Sequence, residues 1–289
     1  MSNNKSLIAK IEEYILKSMK LDFMDSEDKV NDFLNKRLAA PEKVPKTIFK
    51  SISLNRAQTF VFGNKNANNI VLYVHGGAFV NEINYQHLLF CLLISKKLDA
   101  YVIAPLYPLA PKYNYENAFE IMEDSYESLI KENEDNKKII FMGDSAGGGL
   151  ALSFCQHLKT IDFPQPDNII VFSPWVDISM SNSPYDNDSD PILGEIGLRE
   201  IGNAWAGGID TKDYKVSPLF GDNSDLARTL IFVGENEIFY KDILKYYENL
   251  KEDHVDARLV VGSGMFHIYP LFPCPEAWDA FKELKKEFE

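Results

Sequence analysis

The sequence predicts an α/β fold, a mostly parallel sheet with helices on both faces. Two observations predict it. Apolar runs of strand length (NIVLYV, AYVIAP, KKIIFM, NIIVF, RTLIFV and ARLVV) alternate with segments of helical length, and strands that are apolar throughout belong to a parallel sheet covered on both sides. Four of these runs end in glycine-bearing loops, HGGAF, GDSAGG, GENE and GSGMFH, which the topology of an open sheet gathers outside the carboxyl ends of its strands. A chain of 289 residues with 45% hydrophobic and 25% charged residues has room for one large domain or two, and its composition excludes disordered and collagen-like classes.

In chain order, Leu7, Ile8, Ile11, Tyr14, Ile15 and Met19 recur at helical spacing, and Val30, Phe33 and Leu34 repeat the pattern, so residues 5–38 read as two amphipathic helices. Pro41 and Pro45 end the segment. TIFKSISL alternates as a half-exposed strand and AQTFVFG follows after a short turn, so this first pair is antiparallel. Helices are predicted at Tyr85–Lys97, Tyr115–Lys131, Ala146–Lys159, Lys241–Lys251 and Glu276–Phe288, each between or after apolar strands. Residues 179–226 break the rhythm, with one helical piece at Leu193–Trp205. Two units follow: residues 1–46 as N-terminal cap helices, and 47–289 as a catalytic domain carrying 179–226 as a cap insert. Neither residues 1–46 nor residues 179–226 have a strand of their own.

The charge sum is −13, a field that repels nucleic acid and anionic membranes. Residues 1–46 carry nine Lys/Arg and eight Asp/Glu, so the acidity lies in the remainder. Cys91, Cys155 and Cys274 form no C-x-x-C pair, and a sparse odd set in apolar runs reads as free thiols in a reducing compartment. Glu12 and Glu13 interrupt the stretch a secretory signal core would need. The longest apolar run, HLLFCLLIS, is about half of the ~18 residues a membrane span requires. These features point to a cytoplasmic protein without membrane insertion. Oligomeric state has no motif, and a homodimer stays open.

Gly143-Asp144-Ser145-Ala146-Gly147 is a G-x-S-x-G between a strand and a helix. In that context a sharp turn lifts the central hydroxyl out of the sheet, and both flanking glycines relieve clashes. A phosphate loop would need a Lys that is missing, and a dinucleotide loop a Gly where Ser145 stands. Ser145 is therefore the candidate nucleophile, at a helix N-terminus that favours developing negative charge. Acyl transfer generates an oxyanion that backbone N–H groups must meet. Ala146 supplies one, and the His75-Gly76-Gly77-Ala78 loop supplies the others, Gly77 and Ala78 ahead of Gly76. His75 braces that loop. Of five histidines, His267 alone follows the last strand, where the general base belongs. The acid belongs after the preceding strand: Glu237 ranks first, ahead of Asp242 and Asp177. Asp186, Asp188 and Asp190 mimic the start of a calcium loop, but Pro191 and Gly197 occupy the positions of its Gly and bidentate Glu.

HGGAF (75–79), YPLAP (107–111), GDSAGG (143–148), SPWVD (173–177), VGENEIF (233–239) and GMFHIYPLFP (264–273) together resemble the hormone-sensitive-lipase-like family of α/β-hydrolase esterases. The resemblance implies an eight-stranded sheet under a helical cap and hydrolysis of small-molecule short-chain esters without a cofactor or metal. It also implies a triad of Ser145, Glu237 and His267. The chain departs from the family in HGGA for HGGG and in Glu for the commoner Asp. An amidase or peptidase with the same triad and a non-catalytic ligand-binding module are the competing readings.

Overall fold

The computed structural model describes residues 5–18, 22–40, 47–133, 135–182 and 190–288. Eight strands, β1 (Ser51–Leu54), β2 (Ala57–Phe62), β3 (Asn69–Val74), β4 (Ala100–Pro105), β5 (Lys138–Asp144), β6 (Asn168–Phe172), β7 (Arg228–Gly234) and β8 (Ala257–Gly262), form one sheet in the order β1-β2-β4-β3-β5-β6-β7-β8. β1 and β2 pair antiparallel, as does β2 with β4, and all other pairs are parallel. The predicted α/β fold is therefore the observed one.

Every residue of β3 and β6 is buried, because both faces are covered. One face packs Leu72, Phe141 and Val171 under α4 (Tyr115–Glu132) and α5 (Ser145–Thr160); the other packs Tyr73, Met142 and Phe172 under α3 (Tyr85–Lys97) and α8 (Pro275–Lys285). Cys91, Cys155 and Cys274 are free and buried. No helix among the described residues is long and apolar enough to cross a membrane.

The two segments that break the β/α rhythm are helical. α1 (Leu7–Ser18), a 3-10 turn (Asp22–Asp25) and α2 (Glu27–Ala39) open the chain, and α6 (Glu195–Ala206) lies in the 179–226 segment. α6 sits close on the 3-10 turn: a Cβ on Gly197 would lie 2.6 Å from Met24 Cγ. The first helix has a different neighbour. α1 rests on α8, where the backbone and hydroxyl of Ser6 donate to Glu276 at 2.6 and 2.9 Å. Its buried residue is Ala9, whereas Leu7, Ile8, Ile11, Tyr14 and Ile15, expected to form its buried stripe, are 43–76% exposed. Periodicity identifies an amphipathic helix but does not say which element, if any, meets its apolar face. Pro41 and Pro45 lie outside the described residues.

Candidate active site

The sharp strand-to-helix turn at Ser145 forms where predicted. β5 ends at Asp144 and α5 begins at Ser145, whose φ of +51° is left-handed. A non-glycine residue in that region stores about 1–3 kcal/mol of strain. Close packing holds it there. A Cβ on Gly147 would fall 2.1 Å from the carbonyl oxygen of Val74, and one on Gly143 would fall 2.6 Å from that of Gly147. No larger residue fits either position without moving β3.

His267 Nε2 lies 2.9 Å from Ser145 Oγ, and His267 Nδ1 lies 3.3 Å from Glu237 Oε1. A carboxylate only accepts, so Nδ1 carries the proton and Nε2 is free to accept from the serine hydroxyl. The second oxygen, Glu237 Oε2, accepts from Ser173 Oγ at 2.7 Å and from the Gly234 N–H at 2.8 Å. Ser173 in turn accepts the Ile268 N–H at 2.9 Å, so one hydroxyl bridges the acid and the histidine loop. Burial alone would lower the pKa of His267, but the hydrogen bond and charge of Glu237, helped by Asp190 and Asp144, outweigh it and raise it. The other candidate acids are engaged elsewhere. Asp177 accepts from the backbone and hydroxyl groups of Ser179 and Ser181. Asp242 sits in the first turn of α7 (Tyr240–Glu252), bonded to Asn182.

In the loop after β3, Gly77, Ala78 and Phe79 have φ of +115°, +52° and +60°, three successive residues with positive φ. Among the described residues, the N–H groups of Gly77 and Ala78 donate to no backbone or side-chain acceptor. Ala146 lies in the first turn of α5, whose N–H groups lack intrahelical acceptors. Gly76 is a correction to the sequence reading, which included it among the oxyanion donors. Its N–H is spent on Asp144 Oδ1 at 3.0 Å. His75 braces the loop as expected: Nδ1 donates to Gly76 O at 2.7 Å, its ring stacks on Tyr107 at 4.5 Å, and the Tyr107 hydroxyl donates to His75 O at 2.8 Å. Burial, and then the neighbouring His87, lower its pKa to about 4, so it stays neutral.

Asp144, the residue before the nucleophile, is buried at the centre of a polar cluster that the sequence reading missed. Besides Gly76 it binds the Tyr73 hydroxyl and, at 3.2 Å, His87 Nε2. His87 Nδ1 accepts the Asn84 N–H at 3.1 Å in the capping box of α3, which leaves Nε2 as the proton-bearing nitrogen that donates to Asp144. Asp144 thereby ties the loop after β3 to the strand-to-helix turn at Ser145. The N-x-x-H pattern at 84–87 is the only local trace of this role.

Two elements of the interrupting segments reach the same loops. Arg37 of α2 donates to both oxygens of Glu82 at 3.0 Å and to Asn81 at 2.7 Å. Trp205 of α6 stacks on Phe79 with centroids 4.0 Å apart, and Phe79 stacks on Trp175 at 5.6 Å. Trp175 stacks on Phe239 at 5.7 Å, and Phe239 meets the His267 ring edge-on at 5.3 Å. Phe266, which the sequence places beside the histidine, packs on the opposite face against Phe272. A cavity of about 580 Å³ is lined by His75, Tyr107, Arg37, Arg56 and Lys112 among others. It shares His75 with the site but is not lined by Ser145, Glu237 or His267.

The family described as α/β hydrolase fold matches residues 71–271. An esterase of Acinetobacter venetianus is 30% identical over 224 residues, covering 75% of this chain and 74% of its own length. An acetyl-hydrolase of Streptomyces hygroscopicus is 27% identical, covering 69% and 67%. A hormone-sensitive lipase from a metagenome library superimposes with a TM-score of 0.81 at 24% identity, over 97% of both chains, a likeness of fold. With the fold, the motif loops and these relatives in agreement, the chain belongs to the α/β-hydrolase fold family and is a carboxylic ester hydrolase.

Proposed function

We propose that this carboxylic ester hydrolase cleaves short-chain esters through an acyl-enzyme on Ser145. The observation that carries the reading is the unbroken line from Glu237 through His267 to Ser145 Oγ, with the amides of Gly77, Ala78 and Ala146 alongside. Ser145 Oγ attacks the ester carbonyl as its proton passes to His267 Nε2. Glu237 holds the Nδ1 tautomer and stabilises the imidazolium. The amides of Gly77, Ala78 and Ala146 bind the oxyanion. The imidazolium then protonates the departing alkoxide. Water repeats the sequence on the acyl-enzyme, releases the acid and restores the serine.

The aromatic wall supports the small acyl group. Trp205, Phe79, Trp175 and Phe239 are each at most 1% exposed and stacked in series, so no one ring moves without its neighbour. Each stacked pair adds about 0.5–1.5 kcal/mol beyond its buried area. We read α2, the 3-10 turn and α6 as the cap that holds this wall closed.

A series of p-nitrophenyl esters tests the proposal. Acetate and butyrate should exceed octanoate in kcat/KM by roughly 10- to 200-fold, the range one pocket contact commands. A rate that rises toward octanoate contradicts the short-chain reading. Faster turnover of p-nitroacetanilide than of the acetate ester makes the protein an amidase instead.

A further inference from the structure

We infer that Asp190, at the start of the α6 segment, is a positioning residue that fixes the loop carrying Glu237. The inference rests on the reading of Glu237 as the triad acid. Asp190 is 1% exposed. One carboxylate oxygen accepts the N–H groups of Ile192 and Leu193 at 2.8 and 2.9 Å, and the other accepts the N–H of Ile238 at 3.0 Å. Ile238 directly follows Glu237. The opposite flank of the same loop is already pinned: the Asn236 N–H donates to Met265 O at 2.8 Å, and Glu235 accepts from Gly264 N–H at 2.8 Å. Asp190 supplies the remaining tether, across 48 residues of sequence.

An anion buried against backbone amides is costly to install, and a neutral acceptor could satisfy the same N–H groups. Its charge therefore points to an electrostatic effect beyond the tether. Among the described residues, the charged groups that act on His267 include Glu237 from the β7–α7 loop, Asp190 from the α6 segment and Asp144 from the end of β5. Each favours the imidazolium. The cap segment thereby contributes to the basicity of the histidine without touching substrate.

The test compares kcat, KM and the pH profile of p-nitrophenyl acetate hydrolysis in the parent, Asp190→Asn and Asp190→Glu, each checked by circular dichroism. The parent loses kcat/KM as pH falls through the raised pKa of His267, because imidazolium cannot accept the serine proton. Asp190→Asn removes one negative charge, so its acidic limb moves to lower pH. Its kcat falls roughly 10- to 100-fold, the effect of a misplaced catalytic group, while KM changes less than about threefold. Asp190→Glu returns the charge and brings the limb back toward the parent. A folded Asp190→Asn with the parent's kcat and acidic limb overturns the inference. If Asn does not fold, Asp190→Glu decides: a parent-like kcat with the longer arm overturns the positioning role. Ser145→Ala run alongside separates the two levels, since activity surviving there defeats the triad reading whatever Asp190 does.

Discussion

Replacing Ser145 with alanine lowers kcat for p-nitrophenyl acetate by about 10⁴–10⁶-fold, with the fold intact. The size follows from what one atom does. Ser145 Oγ is the hydrogen-bond partner of His267 Nε2 at 2.9 Å, so its removal takes away the atom that would form the acyl-enzyme and leaves the base only a loosely held water to activate. Residual hydrolysis then rests on substrate binding and on the backbone amides acting on direct attack by water. Alanine also leaves the φ of +51° no worse than serine does, and the packing of Gly143 and Gly147 is untouched. KM should move little, because the lost interaction belongs to the transition state and not to the bound ester. The steady-state rate of a well-folded variant checks this, and near-parent turnover removes Ser145 from the chemistry.

Glu237→Gln is the second large effect, about 10³–10⁴-fold in kcat. The substitution keeps the shape of the side chain and removes its charge. Glu237 Oε1 faces His267 Nδ1 at 3.3 Å, while Oε2 accepts from Ser173 and Gly234. A glutamine must place its NH₂ toward one of these two sets. Toward His267 it selects the wrong tautomer; toward Ser173 and Gly234 it opposes two donors. Either way the imidazolium loses its counter-charge, so the acidic limb moves to lower pH as kcat falls. Asp242→Ala, by comparison, removes a group bonded to Asn182 and leaves the His267 contact in place. A larger loss at Asp242 than at Glu237 would reverse the assignment of the acid.

The parts of the fold that are legible in the sequence are those written in local pattern. β3 and β6 read as strands because their runs are apolar but for one Asn each, and the helix Tyr85–Lys97 has the bounds that the sequence predicts. The four loops were legible because a strand end followed by glycine fixes where its side chains emerge. The fate of α1 was not legible. Its stripe is a real helical stripe, but what meets a helix face depends on α8, some 270 residues away. The same holds within the site. Gly76 looks like a third oxyanion donor until Asp144, 68 residues on, takes its N–H. Ser173, His87 and Asp190 act through contacts 48–95 residues long in sequence, and no spacing rule connects them. Their signal is polarity at positions where neighbouring residues are apolar, which marks a buried polar network without naming its members.

The central claim is that Ser145 is an activated nucleophile, and covalent labelling reads it most directly. The protein is incubated with an alkyl fluorophosphonate near neutral pH, digested, and mapped by mass spectrometry. A single adduct on the peptide containing Ser145, absent in Ser145→Ala and strongly slowed in His267→Ala, is the predicted result. Absence of an adduct on the active, folded protein, or an adduct on a different residue, would contradict it.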